Sequence, residues 1–244
     1  MDELKRYKAT KAIIMAAGRG SRLSPITDTI PKPLIEVNGR RMIETLLDAL
    51  IQNGVSDIYI VTGYLKEQFD YLPQKYSYVN ITLLFNPYYL SCNNISSLYI
   101  ARAYLGNCII ADGDLIIYNP HILEPYFDAS GYCSIWAEET NEWLQTTDGE
   151  GYVVSCSRSG GKKGWQLFSI SFWSENDGQK LCRHIEEIFV ERAITDIFWD
   201  DVPMFYFKDE YRLKIRQIQH NDLVEIDNLS ELSIIDPKIA EVII

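Results

Sequence analysis

The chain has 244 residues, 47% of them hydrophobic and 23% charged, and its 23 Lys+Arg against 34 Asp+Glu give a formal net charge of −11. This composition provides a sizeable apolar core and excludes disordered, collagenous and repeat-array proteins. The negative balance argues against a nucleic-acid partner, so any polyanion must be gripped by a local basic site set against the global field. Five scattered cysteines without a C-x-x-C pair exclude a disulfide framework or zinc cluster and suit a reducing compartment. No window approaches the ~20 apolar residues of a membrane span, and the charged start, MDELKRYKAT, has no signal-peptide core. A soluble, cytoplasmic protein with no membrane partner is expected.

After a polar leader at 1–10, KAIIMAA (11–17) reads as a buried strand running into Gly18 and Gly20. A loop punctuated by Pro25, Pro31 and Pro33 follows, then a strand-like LIEV (34–37) stopped by Asn38-Gly39. Residues 42–52 place Met42, Ile43, Leu46, Leu47, Leu50 and Ile51 at helical spacing, with Asn53-Gly54 as the stop. DIYIVTG (57–63) predicts a strand, 66–75 a helix, ITLLFN (81–86) a strand and 95–104 a helix. NCIIADGDLII (107–117) is one further buried run with Asp112 and Asp114 inside it. Alternating elements of these lengths imply parallel βαβ units in a three-layer α/β sandwich. Ligands in such sheets bind beyond the carboxyl ends of the strands, where Gly18, Gly63 and the Asp112/Asp114 pair fall.

The second half changes character. Residues 132–173 read as short β-like pieces that extend the sheet, plus a flap around SRSGGKKG (157–164). An amphipathic helix near 176–192, the aromatic-acidic TDIFWDDV (195–202), VEIDN (224–228) and a terminal helix complete the chain. No linker-like stretch separates the halves, so 11–244 is expected to form one domain, with a first half of about 11–131 and a second of about 132–244.

Gly18-Arg19-Gly20-Ser21-Arg22 invites the dinucleotide fingerprint but fails it, because Leu23 stands where the third glycine belongs. Nor is it a Walker A loop, since no Gly-Lys-Ser/Thr closes it. Spacing alone leaves a plain strand-to-loop turn and a phosphate loop both open. Arg22 on the same loop, and Lys32 restricted between two prolines, favour a polyphosphate: glycines admit phosphate to backbone N–H groups while the cations supply charge. Asp112 and Asp114 are costly in an apolar run unless paired or metal-bound, although a single aspartate there also suits a turn cap. Asp227 has similar surroundings, and two hard oxygen ligands facing a triphosphate would suit Mg²⁺. Trp143 follows Glu142, and Phe198-Trp199 are flanked by Asp196, Asp200 and Asp201. Rings beside carboxylates hold a cation, at about 0.5–2 kcal/mol per ring, and equally serve as packing. His121, His184 and His220 lack ligand spacing and read as surface residues.

AAGRGSRLSPITDTIPKPLIEVNG (16–39) resembles the signature loop of the sugar-nucleotide-type nucleotidyltransferases. TGYLKEQFDYL (62–72), NNISSLY (93–99), NEW (141–143) and FWD (198–200) look like the bacterial CTP:phosphocholine cytidylyltransferases, and the resemblance runs from Lys11 to about Leu232. It implies a Rossmann-like three-layer α/β/α nucleotidyltransferase fold with a mostly parallel mixed sheet. The implied reaction is Mg²⁺-assisted transfer of CMP from CTP to phosphocholine, giving CDP-choline and pyrophosphate. By motif, Ala16, Ala17, Gly18, Gly20, Ser21 and Arg22 would wrap the nucleotide, with Arg22 and Lys32 catalytic on its phosphates. Gly63, Tyr64, Asn93 and Asn94 would surround cytosine and ribose, Asp112 would lie with the nucleotide, and Asp114 and Asp227 would hold Mg²⁺. Glu142, Trp143, Asp196, Phe198, Trp199 and Asp200 would receive the quaternary ammonium. Other acceptors within the class are 2-aminoethylphosphonate, phosphoethanolamine and a sugar 1-phosphate; outside it stands a catalytically silent nucleotide sensor. A monomer or homodimer is expected.

Overall fold

The computed structural model describes residues 6–240. At its centre β1 (Lys11–Ala16) lies between β2 (Asp57–Thr62) and β4 (Cys108–Asp112), with β3 (Asn80–Phe85) beyond β2, all four parallel. Strands covered on both faces must be apolar on both, and five of the six residues of β1 are buried. The register sets Met15 against Asp112 and Ala16 against Thr62. Three strands therefore end at one level, and the residues that follow share one rim.

Helix α1 (Met42–Gln52) covers one face with Ile43, Leu46, Leu47 and Leu50. Helices α2 (Ile95–Ala101) and α3 (Glu175–Glu186) cover the other with Ile95, Leu98, Leu181 and Ile185. This is the expected three-layer α/β arrangement. The predicted 66–75 helix is broken: Lys66–Phe69 is a 3₁₀ turn behind Leu65 at φ 48°, and only Leu72–Lys75 is helical. Pro73, with no N–H to give, suits only the first turn of the second piece. LIEV is a strand only at Glu36–Val37, because Lys32–Leu34 forms a 3₁₀ turn.

The run 107–117 is two strands. β4 ends at Asp112, the Gly113 N–H donates to the Met15 carbonyl at 2.9 Å, and β5 (Leu115–Ile117) leaves to pair with Leu223–Glu225. Where short pieces were expected, β6 (Gly131–Thr140) and β9 (Gly161–Trp173) are long, joined by the β7 (Leu144–Thr147) and β8 (Val153–Ser157) hairpin. Strand β9 carries β6 on one edge; on the other its amino half holds β7 and its carboxyl half holds β4, all antiparallel. The glycine-lysine segment is thus the start of β9 rather than a free flap. A Cβ on Gly164 would stand 2.8 Å from the Gln145 carbonyl, so glycine is what lets β7 approach. β10 (Lys214–Gln217) closes the nine-stranded sheet beside β6. Tyr7–Lys8, within the polar start, pairs with Tyr126–Phe127. His184 is buried, not at the surface: its Nδ1 lies 2.8 Å from the Tyr211 hydroxyl, and its ring stacks on Phe207. Among the described residues no helix is long and apolar enough to cross a membrane.

Candidate active site

The rim begins where β1 and β2 end. A Cβ on Gly63 would lie 2.6 Å from the Ala17 carbonyl oxygen and 2.7 Å from Tyr89 Cβ, so only glycine lets these strand ends close. The Tyr64 N–H then donates to the Ala17 carbonyl at 3.1 Å, and the Tyr64 hydroxyl donates to the Asp28 carbonyl at 3.0 Å. Gly20 has φ 67°, with Lys32 Cβ only 2.9 Å from where its own Cβ would be, and its carbonyl accepts from Thr27 Oγ1 at 2.9 Å. Next to Gly18, by contrast, nothing stands within 4 Å of a Cβ position, leaving room for a ligand against the backbone. Ser21–Leu23 makes one 3₁₀ turn that buries Leu23 and presents Arg22 with 71% of its side chain exposed.

Lys32 is the pivot. Its Nζ lies 2.6 Å from Asp114 Oδ2 and 3.1 Å from Asp227 Oδ1, with the side chain only 9% exposed. Arg22 Nη2 donates to the same Asp227 oxygen at 2.8 Å. Burial opposes the charge on Lys32, yet the two carboxylates outweigh it and hold its pKa above the usual lysine value. Arg22, Lys32, Asp114 and Asp227, all singled out in the sequence, thus form one ion-paired cluster.

Asp114 Oδ1 is buried with no hydrogen-bond partner. Asp112, Asp114 and Glu225 each offer one oxygen, and these all lie within 4.8 Å of one another. Burial, then the charges of Asp114 and Glu225, raise the Asp112 pKa well above the carboxylate range. Burial, then Asp114 and Asp227, push Glu225 up to about 8. Three hard oxygen donors, on residues that include Asp114 with its orphaned oxygen, fit a divalent cation, whose charge would offset the burial and mutual repulsion that raise these pKa values. Glu225 was missed in the sequence. Its signal was an acid two positions before Asp227 in an otherwise apolar strand. Asp227 itself is held by Lys32 and Arg22.

Asn93 and Asn94 tie the two halves together. The Asn94 side-chain oxygen accepts the Trp199 N–H at 2.8 Å, the Asn93 side-chain oxygen accepts the Asn94 N–H at 2.7 Å, and the Asn93 N–H donates to the Thr195 carbonyl at 2.8 Å. Both amide oxygens are therefore engaged within the chain, while Gly63 and Tyr64 stand on the rim.

Beyond Asn94 lies an aromatic corner. Trp143 meets Phe198 edge-to-face at 6.0 Å and Phe205, unnoticed in the sequence, at 5.6 Å. Trp199 is not in it. With 4% exposure that ring belongs to the core, stacked on Tyr132 at 5.9 Å and edge-on to Trp173. Asp196 and Glu142 are exposed. Burial raises the Asp200 pKa to about 7 against the opposing influence of the Tyr132 hydroxyl. The buried Asp201 accepts the Phe198 N–H at 3.0 Å and the Arg158 Nε–H at 2.5 Å. Glu142 adds to the charges that raise Glu225, and Asp200 to those that raise Asp112, so the corner and the carboxylate group share one field.

A sheet rim with open backbone and two cations after β1, and clustered carboxylates after β4, has the parts that nucleotidyl transfer needs. Residues 11–123 match the family model described as nucleotidyl transferase. A 2-aminoethylphosphonate cytidylyltransferase from Lancefieldella rimae is 39% identical over 230 residues, covering 93% of this chain and 92% of that protein. A choline-phosphate cytidylyltransferase from Streptococcus pneumoniae is 35% identical over 222 residues, covering 91% and 94%. The solved structure of the CTP:phosphocholine cytidylyltransferase from Streptococcus pneumoniae superposes with a TM-score of 0.84 at 33% identity, over 96% of this chain and 99% of that one. The chain belongs to the nucleotidyl transferase family.

Proposed function

We propose that the enzyme transfers CMP from CTP to phosphocholine or its primary-amine counterpart 2-aminoethylphosphonate, releasing pyrophosphate, with Mg²⁺ as the metal. The supporting observation is that the Lys32–Asp114–Asp227 cluster shares Asp114 with the Asp112–Asp114–Glu225 carboxylates, whose field includes Glu142 and Asp200 from the segments that carry the Trp143–Phe198–Phe205 corner. A short acceptor with an anionic end and a cationic head matches that order of charges. The names of the Lancefieldella rimae and Streptococcus pneumoniae relatives support both acceptors.

In this reading residues 11–131 carry the nucleotide and 132–244 the acceptor. The loop from Ala16 to Arg22 wraps the triphosphate, with Ala17, Gly18, Gly20 and Ser21 offering backbone N–H groups. Gly63 and Tyr64 border the nucleoside. Arg22 and Lys32 exchange their carboxylate partners for phosphate oxygens and stabilise the charge that moves onto pyrophosphate. Asp112, Asp114 and Glu225 would hold Mg²⁺, with Asp227 close by, and the ion would supply charge neutralisation for the phosphates. An acceptor oxygen forms a bond to the α-phosphorus while the α–β bridging bond breaks and its electron pair leaves with pyrophosphate. The acceptor dianion already carries its nucleophilic oxygen, so no general base is needed and the chain contributes alignment and charge.

A pyrophosphate-release screen tests this by pairing each nucleoside triphosphate with phosphocholine, 2-aminoethylphosphonate and glucose 1-phosphate, with and without Mg²⁺. Release is expected with CTP, Mg²⁺ and either amine. No release from those pairs, or faster release with the sugar phosphate, would overturn the reading.

A further inference from the structure

The corner assigned to the acceptor's cationic head already holds a cation of the chain's own. Arg158, directly after β8, places its guanidinium carbon 3.7 Å from the Phe205 ring centroid and 5.9 Å from that of Trp143. Its Nε donates to Asp201 Oδ1 at 2.5 Å, and Nη2 reaches the same carboxylate. Asp201 is its one ion-pair partner among the described residues. Asp201 is fixed in turn, with 4% side-chain exposure and Oδ2 accepting the Phe198 N–H. Two ring faces and a buried counter-charge are what a ligand ammonium would seek, and here a guanidinium has them. The Arg158 side chain is itself half exposed and sits at the turn before β9, where Gly160 has φ 72°. The cation is thus supplied by a surface turn and not by the core.

We propose that Arg158 is the specificity-determining residue for the acceptor, selecting a primary ammonium head over a quaternary one. The inference rests on the proposed function and deepens it. A trimethylammonium has no N–H to donate, so its favourable contacts are ring faces, and to reach Trp143 and Phe205 it must displace Arg158. Displacement also strips the buried Asp201 of its hydrogen-bonded partner, and a methylated head replaces charge but not hydrogen bonds. A primary ammonium gains from donating to carboxylate oxygens such as those of the exposed Glu142, and it binds with Arg158 still seated.

The test compares kcat/KM for 2-aminoethylphosphonate and phosphocholine, at saturating CTP and Mg²⁺, in the wild type, Arg158→Ala and Arg158→Lys. The wild type should favour the primary amine. Arg158→Ala should shift the ratio toward phosphocholine by about tenfold or more, the size of a lost cation–ring contact, mainly through a lower phosphocholine KM. Arg158→Lys, which keeps the charge without the planar fork, should shift it less. Calorimetric titration with choline should show tighter binding to Arg158→Ala than to the wild type. An unchanged ratio, a parallel loss for both acceptors, or a wild type that favours phosphocholine would overturn the role of Arg158 while leaving cytidylyl transfer intact. If no variant and no wild-type sample releases pyrophosphate with either acceptor, the proposed function fails and this inference fails with it.

Discussion

Replacing Lys32 by Met keeps the unbranched stem, one atom shorter, and removes its charge, which isolates what the ammonium contributes. At 2.6 and 3.1 Å from two carboxylate oxygens, an effective dielectric near 20 gives a gross attraction of about 6 and 5 kcal/mol, much of it offset by desolvation. In folding the loss is therefore modest. Asp227 keeps Arg22 at 2.8 Å, while Asp114 loses its partner at a cost of about 1–3 kcal/mol, a few degrees in Tm for a chain of this size. In turnover the loss is larger, because a charge held ready for the departing pyrophosphate is worth about 10²–10³ in kcat, or about 3–4 kcal/mol. Steady-state pyrophosphate release at saturating substrates, beside a thermal melt, measures both. A kcat within about threefold of wild type would refute the reasoning, and so would a variant that fails to fold.

Two further outcomes follow from the acids. Glu225→Gln should raise the Mg²⁺ concentration needed for half-maximal turnover by about tenfold or more, and a chelator should abolish turnover in the wild type; an unchanged Mg²⁺ dependence would remove Glu225 from the ligand set. Asp200, at about 7, lies above the unfolded aspartate value of about 3.9, so the folded state holds the extra proton between these limits. Its contribution is full below about pH 4 and is lost as the pH rises through about 7, a decline of up to about 4 kcal/mol. Asp200→Asn should flatten that decline in urea melts between pH 5 and pH 8, and equal slopes in the two proteins would show that Asp200 does not titrate as described.

The parts legible in the sequence were those encoded locally. Helix α1 has the predicted bounds because its apolar spacing and the Asn53-Gly54 stop lie within the element itself. The parallel strands were visible because burial on both faces makes them continuous apolar runs. The same signal failed at 107–117, since an apolar run does not say which sheet each half will join, and β4 and β5 join different ones. The length of β9 was hidden by glycines that read as a flap and in fact admit β7 and the Thr140–Asn141 backbone at close range. At the site, Arg22, Lys32, Asp112 and Asp114 stood out as polar residues in apolar or proline-bound settings. The pairing of Asp114 and Asp227 through Lys32, the place of Glu225 beside Asp112, and the seating of Arg158 on Phe205 are long-range contacts, and composition and spacing carry no record of them. Trp199 shows the converse: its acidic neighbours suggested a ligand, while its own ring closes the core.

The most direct test of direct transfer on this rim uses CTP carrying a single sulfur diastereomer at the α-phosphorus, with the configuration of the product read by ³¹P NMR. In-line attack by the acceptor, with the chain supplying no nucleophile, requires inversion. Retention would mean two displacements and a nucleotidylated side chain, and would contradict the roles given to Lys32, Arg22 and the three carboxylates.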